Sequence, residues 1–368
     1  VRTSPFHRST IDAGLSAVTV YNHMMLPAYY GDFEAEYDRL INGVALWDVA
    51  AERQVQLAGP DADACAQYLT ARDLTKMKEG QGKYVAMCDH DGLLLNDPVL
   101  MKLSEGRYWF SLADNDMLLW CKAVAAERGF DVEVIEPDVS PLAVQGPKAE
   151  RVIVDLFGES VRSLKYFWFT ETELDGIPLV LCRSGWSKQG GFELFLQDGS
   201  RGDELWARIM AAGEPYDIGP GAPNPVERVE SGLLSYGGDT EPDSNPFEAG
   251  MARFVDVDCE PDYIGKAALQ RMLAEGGPAR LLVGVYMDSG VPGAVSGVES
   301  WPLLQRTAIW VDTDVVGSLG AVAYSPRLER TIGIAQIERR IVELGVPVRV
   351  ETPIGTTSAT ITDLPFIR

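Results

Sequence analysis

Two carboxylates and one indole stand out for the company they keep. Asp97 follows the leucine run at 93–95 and Asn96, and precedes Pro98. A strand there would deliver its carboxylate to a pocket, although an aspartate before proline is also an ordinary turn residue. Glu193 comes after Gly190-Gly191, and glycines let a backbone approach a flat ligand closely; the alternative is a surface glutamate at a strand end. Trp186 lies in the glycine- and serine-rich stretch 183–191 rather than in an alternating strand, which suits a ring exposed for stacking, while aromatics elsewhere are more often core. Loop aromatics, glycines and carboxylates are what a site for a flat, partly polar cofactor requires.

Other chemistries lack their residues. The three histidines, His7, His23 and His90, are scattered, without zinc spacing or an H-E-x-x-H helix, so no metal site is expected. The run Gly219-Pro-Gly221-Ala-Pro-Asn224 lacks the third glycine and the preceding strand of a dinucleotide fingerprint, and no phosphate-binding G-x-x-x-x-G-K-[ST] occurs. Ser187 follows Gly185-Trp186, but Gln189 stands where a nucleophile elbow needs glycine. With 54 acidic against 32 basic residues the formal charge is −22, which repels a phosphate backbone or an anionic bilayer. Nucleic acid and membrane are therefore poor partners. Five cysteines without C-x-x-C spacing suggest neither a disulfide framework nor a zinc knuckle and fit a reducing cytoplasm. Residues 1–10 carry no apolar export segment, and no apolar run of membrane-spanning length occurs.

The elements that must position these residues follow from periodicity. At 368 residues, 46% hydrophobic and 23% charged, two or three globular domains are expected. From Arg53 the pattern predicts a strand with Val55 and Leu57 alternating, a turn at Gly59-Pro60 and a helix over 61–70. A hairpin follows: 84–88 goes out, Asp89-His90-Asp91-Gly92 turns the chain, and Val99, Met101 and Leu103 alternate on the way back. A strand at 108–112, a helix at 115–128 and a strand at 130–135 complete a β-α-β-β-β-α-β unit resembling an elaborated ferredoxin-like fold. Leu142-Ala-Val-Gln-Gly146-Pro147 then echoes Val55-Gln-Leu-Ala-Gly59-Pro60, a hint of duplication. A helix ending near Gly158, strands at 168–174, 177–182 and 192–196, and a helix at 202–212 make a second αβ unit. Residues 220–225 read as a turn-dense loop before another helix. From about 278 short β-runs dominate, at 281–286, 307–311, 315–325, 332–337 and 348–352, suggesting an all-β domain.

Three segments resemble the glycine-cleavage T-protein family: Asp91-Gly92-Leu-Leu-Leu-Asn96-Asp97; Arg183-Ser184-Gly185-Trp186-Ser187-Lys188-Gln189-Gly190-Gly191-Phe192-Glu193; and Glu227-Arg228-Val229-Glu230-Ser231-Gly232 with Tyr236-Gly237, Asn245-Pro246-Phe247-Glu248-Ala249-Gly250 and Tyr263-Ile264-Gly265-Lys266. Gly317-Ser318 and Tyr324-Ser325-Pro326 extend the likeness nearly to the end. Val20-Tyr21-Asn22-His23-Met24, Trp47-Asp48-Val49-Ala50-Ala51-Glu52-Arg53-Gln54 and 230–237 resemble, within that family, the tetrahydrofolate-dependent dimethylsulfoniopropionate demethylases.

The resemblance implies an α+β fold of three domains around a central folate channel: a discontinuous folate-binding αβ domain (1–52 and 140–277), a ferredoxin-like αβ domain (53–139) and a C-terminal β-barrel or jelly-roll-like domain (278–368). It implies a cytoplasmic methyltransferase with tetrahydrofolate as co-substrate, no metal, a small-molecule methyl donor as the other partner, and room for a homodimer. Asp97 is then the catalytic residue. Tyr84, Trp186, Glu193, Arg228 and Tyr236 are cofactor-binding, with Glu193 accepting a fork of pterin N–H bonds. Arg228 either pairs with a cofactor carboxylate or supports the site through a salt bridge. Tyr21, Trp168 and Phe195 are expected to wall the donor, since a sulfonium suits aromatic faces. Phe195 departs from the demethylases, where tyrosine is usual at that place. The implied reaction moves an S-methyl group to N5 of tetrahydrofolate. Other methyl donors, an N-methyl betaine or amine or a methoxy-aromatic, are the alternatives, along with a folate-binding protein without turnover.

Overall fold

The computed structural model describes residues 1–288, 307–352 and 355–368. They form two compact units, 1–85 with 96–224, and 86–95 with 225–368.

The first unit contains two main sheets. One runs Glu133–Ile135, Gln54–Ala58, Arg107–Ser111, Val99–Ser104, Gln81–Tyr84, antiparallel throughout. The other runs Phe169–Leu174, Ile177–Cys182, Gly191–Leu196, Ser140–Gln145, Ala45–Asp48, Gly219–Gly221. Its last pair is parallel. Residues 219–221 are thus an edge strand rather than part of a loop; the edge is where a strand tolerates Pro220, which has no N–H for the ladder.

Alternation decides which side chain meets which layer. Phe192, Leu194 and Leu196 join Val152, Ile153, Leu205 and Ile209, from the helices Ala149–Phe157 and Gly202–Gly213, in the helix-side core. Glu193 and Phe195 consequently face the other way. There Phe195, Val180 and Phe169 pack against Met101, Leu103 and Trp109 of the five-stranded sheet, so the two sheets of this unit lie face to face across a shared layer. Each fully buried side chain of this size contributes about 1.5–3 kcal/mol, which holds the register against a one-residue slip.

The hairpin expected over 84–103 is shorter in the sheet than its alternation suggests. The outgoing strand stops at Tyr84, and residues 86–95 belong to the second unit, where the Leu94 N–H donates to the Ser244 carbonyl at 2.8 Å. The unit's main body is a closed barrel of six strands in the order Arg280–Met287, Arg330–Glu338, Asp314–Ser325, Thr307–Val311, Pro347–Thr352, Gly355–Thr362. Val285, Ile309, Ile337, Val350 and Ile361 fill it. The short helix Pro225–Glu230 is buried along its whole length, and Glu230 accepts from Ser325 and Arg327. No helix among the described residues is long and apolar enough to cross a membrane.

Candidate active site

Asp97 owes its position to the hairpin. Tyr84 pairs with Val99 at the end of the Gln81–Tyr84 strand, and the Val85 N–H closes on the Pro98 carbonyl at 3.0 Å. That places Asp97 opposite the tyrosine ring, and the Tyr84 hydroxyl donates to Asp97 Oδ2 at 2.5 Å. The neighbouring Asn96 is fully buried. Its side-chain amide donates to the carbonyls of Ala113 and Asn115 at 3.1 and 3.2 Å, and its Oδ1 accepts from the Ala113 N–H at 3.0 Å. The backbone that carries Asp97 is therefore clamped on both sides.

Glu193 is built by the facing strands. Ser184 donates to its Oε2, and burial pushes the Glu193 carboxyl above its ordinary range while the Ser184 bond opposes this. Gln145, at the end of the Ser140–Gln145 strand, is buried and holds the loop: its Nε2 donates to the Ser184 carbonyl at 3.1 Å and its Oε1 accepts from the Ser187 hydroxyl at 2.8 Å. The two glycines facing Gln145 cannot be replaced freely. A Cβ on Gly185, whose φ is +149°, would stand 2.1 Å from Gln145 Nε2, and one on Gly191 would stand 2.5 Å from the Val144 carbonyl oxygen. The same glycine-rich loop presents Trp186, which keeps part of its surface accessible.

Sequence reasoning passed over one acid of this neighbourhood. Glu52 is partly accessible, yet burial, and then the charges of Glu193 and Asp97, push its carboxyl well above the usual carboxylate range, with a Ser111 hydrogen bond pulling the other way. Glu52, Asp97 and Glu193 therefore share one electrostatic neighbourhood. Its only signal in the sequence was membership of the stretch 47–54. Ser184, Ser111 and Gln145, which orient these acids, carried no separate signal, because small polar residues acquire such roles only through contacts distant in sequence.

Of the expected donor walls, Tyr21 belongs to this group. Burial first, then the charges of Glu52, Asp97 and Asp114, raise its phenol well above the usual value. Trp168 is partly accessible and bridges to Gln81, on the strand that ends in Tyr84. Phe195 is different: it is 2% exposed and packs against Trp109 with ring centroids 6.4 Å apart. Its face meets the core between the sheets.

Arg228 and Tyr236 lie in the second unit. Arg228 is buried and bonded through Nη1 to Asp239 Oδ2 at 2.5 Å, and the same carboxylate oxygen accepts from the Ser235 N–H at 2.8 Å. Of the two readings of Arg228, the supporting salt bridge is present. The Tyr236 hydroxyl donates to the Leu94 carbonyl at 3.3 Å.

Comparison with known proteins places this geometry. Residues 6–259 match the GCVT N-terminal domain family and residues 282–367 the glycine cleavage T-protein C-terminal barrel domain family. The dimethylsulfoniopropionate demethylase DmdA of Ruegeria pomeroyi is 45% identical over 304 residues, covering 83% of this chain and 82% of that protein. An aminomethyltransferase of Alkaliphilus oremlandii is 30% identical over 343 residues, covering 90% and 88%. Among solved structures, the glycine cleavage system aminomethyltransferase T of Bartonella henselae superposes with a TM-score of 0.86 at 21% identity, covering 100% of this chain and 98% of that one, which shows a shared fold. The chain belongs to the glycine-cleavage T-protein family.

Proposed function

We propose that this protein is a tetrahydrofolate-dependent demethylase that moves a methyl group from the sulfonium of dimethylsulfoniopropionate to folate, giving methylmercaptopropionate and 5-methyltetrahydrofolate. The observation that carries the reading is the convergence of Asp97, oriented by Tyr84, and Glu193, oriented by Ser184, in one electrostatic neighbourhood. The 45% identity to a named demethylase over most of both chains supports the donor.

The residues present suit folate. Glu193 is a buried acceptor held by a hydroxyl, and a buried acceptor of this kind calls for N–H partners such as those on the amide edge of a pterin. Trp186 and Tyr84 offer ring faces for stacking. When bound, tetrahydrofolate supplies a nucleophilic ring nitrogen, N5, to receive the methyl group. Asp97 would orient that nitrogen and steady the positive charge that develops as the N–CH3 bond forms and the S–CH3 bond breaks, a charge discharged when the N5 proton leaves to solvent. The bonding pair returns to sulfur as a neutral thioether, so the leaving group needs no proton from an acid. A methoxy donor would need one. Tyr21 and Trp168 are assigned to the donor. Arg228 and Tyr236 are assigned to the cofactor, and the division into 1–52 with 140–277, 53–139 and 278–368 belongs to the same reading; each of its three parts contains one complete main sheet or the barrel. The cytoplasm suits five cysteines that form no disulfide among the described residues.

The test is to incubate the purified protein with tetrahydrofolate and a panel of sulfonium, betaine and methoxy compounds and to detect 5-methyltetrahydrofolate by mass. Product from the sulfonium supports the reading. Formaldehyde or methylene-folate as the sole product rules out direct methyl transfer.

A further inference from the structure

The reaction as described uses two of three neighbouring acids. In that reading Glu193 would face the N–H edge of the cofactor and Asp97 its reactive nitrogen, while Glu52 has no assigned work. A carboxylate kept among two others, with no Lys or Arg among the described groups whose charge acts on it, is costly in a protein interior unless a cation joins it.

Its surroundings are built rather than incidental. The Ser111 hydroxyl bonds to the Glu52 carboxyl. Gln54, itself only 1% exposed, donates through Nε2 to the Ser111 oxygen at 3.0 Å and to the Glu52 backbone carbonyl at 2.6 Å. With the serine oxygen occupied by that N–H, the serine proton is left to point at Glu52. On the other side Asn22, the residue after Tyr21, donates through Nδ2 to the carbonyl of Ala51 at 3.2 Å and to that of Ala113 at 2.8 Å. Ala113 is also the segment that holds Asn96, beside Asp97. Tyr21, Glu52 and Asp97 are thereby hung from one short frame. The two amides bonded to the 51–52 backbone each carry a further acceptor: the side-chain oxygens of Gln54 and Asn22, both on side chains more than nine-tenths buried, have no hydrogen-bond partner among the described residues. Acceptors with nothing to accept, an acid with no counter-charge and an adjacent phenol ring make a receptor for a weakly hydrated cation with polarised C–H groups. Among the described residues no group of three His, Cys, Asp or Glu is gathered tightly enough to hold a metal ion.

We propose that Glu52 is the donor-binding residue of this site: with Tyr21 it receives the positively charged sulfur of the methyl donor and so selects cationic over neutral donors. The inference rests on the demethylase reading and deepens it. Glu52 takes no part in bond making. It brings the sulfonium to the site and loses its hold once the sulfur becomes a neutral thioether, which favours product release.

The test compares the wild type, E52Q and E52D. Turnover of dimethylsulfoniopropionate is read as 5-methyltetrahydrofolate, and calorimetry reads binding of dimethylsulfoniopropionate, of its neutral-sulfur counterpart methylmercaptopropionate, and of tetrahydrofolate. E52Q is expected to raise KM for the sulfonium on the order of ten- to hundred-fold and to erase the wild type's preference for sulfonium over thioether, with tetrahydrofolate affinity unchanged. E52D, which keeps the charge, is expected to recover part of the preference. Sulfonium binding in E52Q within two-fold of wild type, or an equal loss of tetrahydrofolate affinity, overturns the inference. A wild type that binds neither sulfur compound overturns it as well, and one that methylates folate only from other donors overturns the demethylase reading first.

Discussion

The Tyr84 hydroxyl donates to Asp97 Oδ2 at 2.5 Å across the mouth of a hairpin whose two strands pair Tyr84 with Val99. One residue earlier Asn96 fixes the backbone through three hydrogen bonds to the 113–115 segment. The acid proposed to face the reacting nitrogen is therefore aimed before any ligand arrives, which is the condition under which a fixed charge stabilises a transition state without reorganising.

Asp97→Ala is expected to lower kcat on the order of 10²- to 10³-fold while leaving tetrahydrofolate affinity within about two-fold. Tyr84→Phe removes only the orienting bond and should cost about ten-fold in kcat. Single-turnover kinetics with calorimetry separate the two effects. An Asp97→Ala enzyme that loses folate binding in proportion would place Asp97 in cofactor recognition instead.

Glu193→Ala is expected to weaken tetrahydrofolate binding by roughly ten- to hundred-fold, the worth of a charge-assisted hydrogen bond in a buried site. Ser184→Ala should shift the same affinity in the same direction by less, since Ser184 acts through the Glu193 carboxylate. Unchanged folate affinity in Glu193→Ala refutes its assigned role.

Gly191→Ala is expected to destabilise the fold by about 2–4 kcal/mol, because the added methyl meets the backbone carbonyl of Val144 as well as Gln145. Gly185→Ala meets the Gln145 side chain first and adds strain at φ +149°. It should disturb the loop that carries Ser184 and Trp186 and weaken folate binding along with stability. Urea unfolding with a folate titration on each variant checks the order.

Asp48 provides a pH signature. Burial pushes its carboxyl up to about 6, against hydrogen bonds from Ser4 and from the Ala50 N–H that oppose the shift. A carboxyl raised on folding contributes most below its ordinary value near 3.8, and that contribution is lost as pH rises through about 6. Asp48→Asn, which retains an acceptor for the Ala50 N–H, should therefore gain about 1–3 kcal/mol over the wild type above pH 6, and the gain should fade toward pH 4. Chemical denaturation at pH 4, 5.5 and 7.5 measures it; a constant difference across that range would mean that Asp48 titrates normally.

Much of the fold was legible because its signals are local. The strand Ile177–Cys182 falls at its expected residues, the helix ending before Gly158 is Ala149–Phe157, and the short apolar runs after 278 close into the barrel. Alternation and glycine stops act over a few residues and survive without tertiary information. The turn expected at 89–92 is present, but Met87–Cys88 pairs with Leu94–Asn96 in a two-stranded sheet of its own and not in the five-stranded one, a choice of partner that alternation does not encode. Phe195, two places beyond Glu193, shares its side of the sheet, and period two cannot say where along that side a pocket gives way to core.

From the sequence alone came the family, the types of residue the proposed chemistry needs and the glycine-rich loop 183–191 that carries Trp186. Only the tertiary structure decided that the charges of Glu193 and Asp97 act on Glu52, that Ser111, Ser184 and Asn96 aim and hold these acids, and that Phe195 packs between the sheets. The physical reason is range. A strand's periodicity is written within the strand, whereas the field at a carboxylate is the sum of groups far apart in the chain, brought together only when two sheets bury their facing sides.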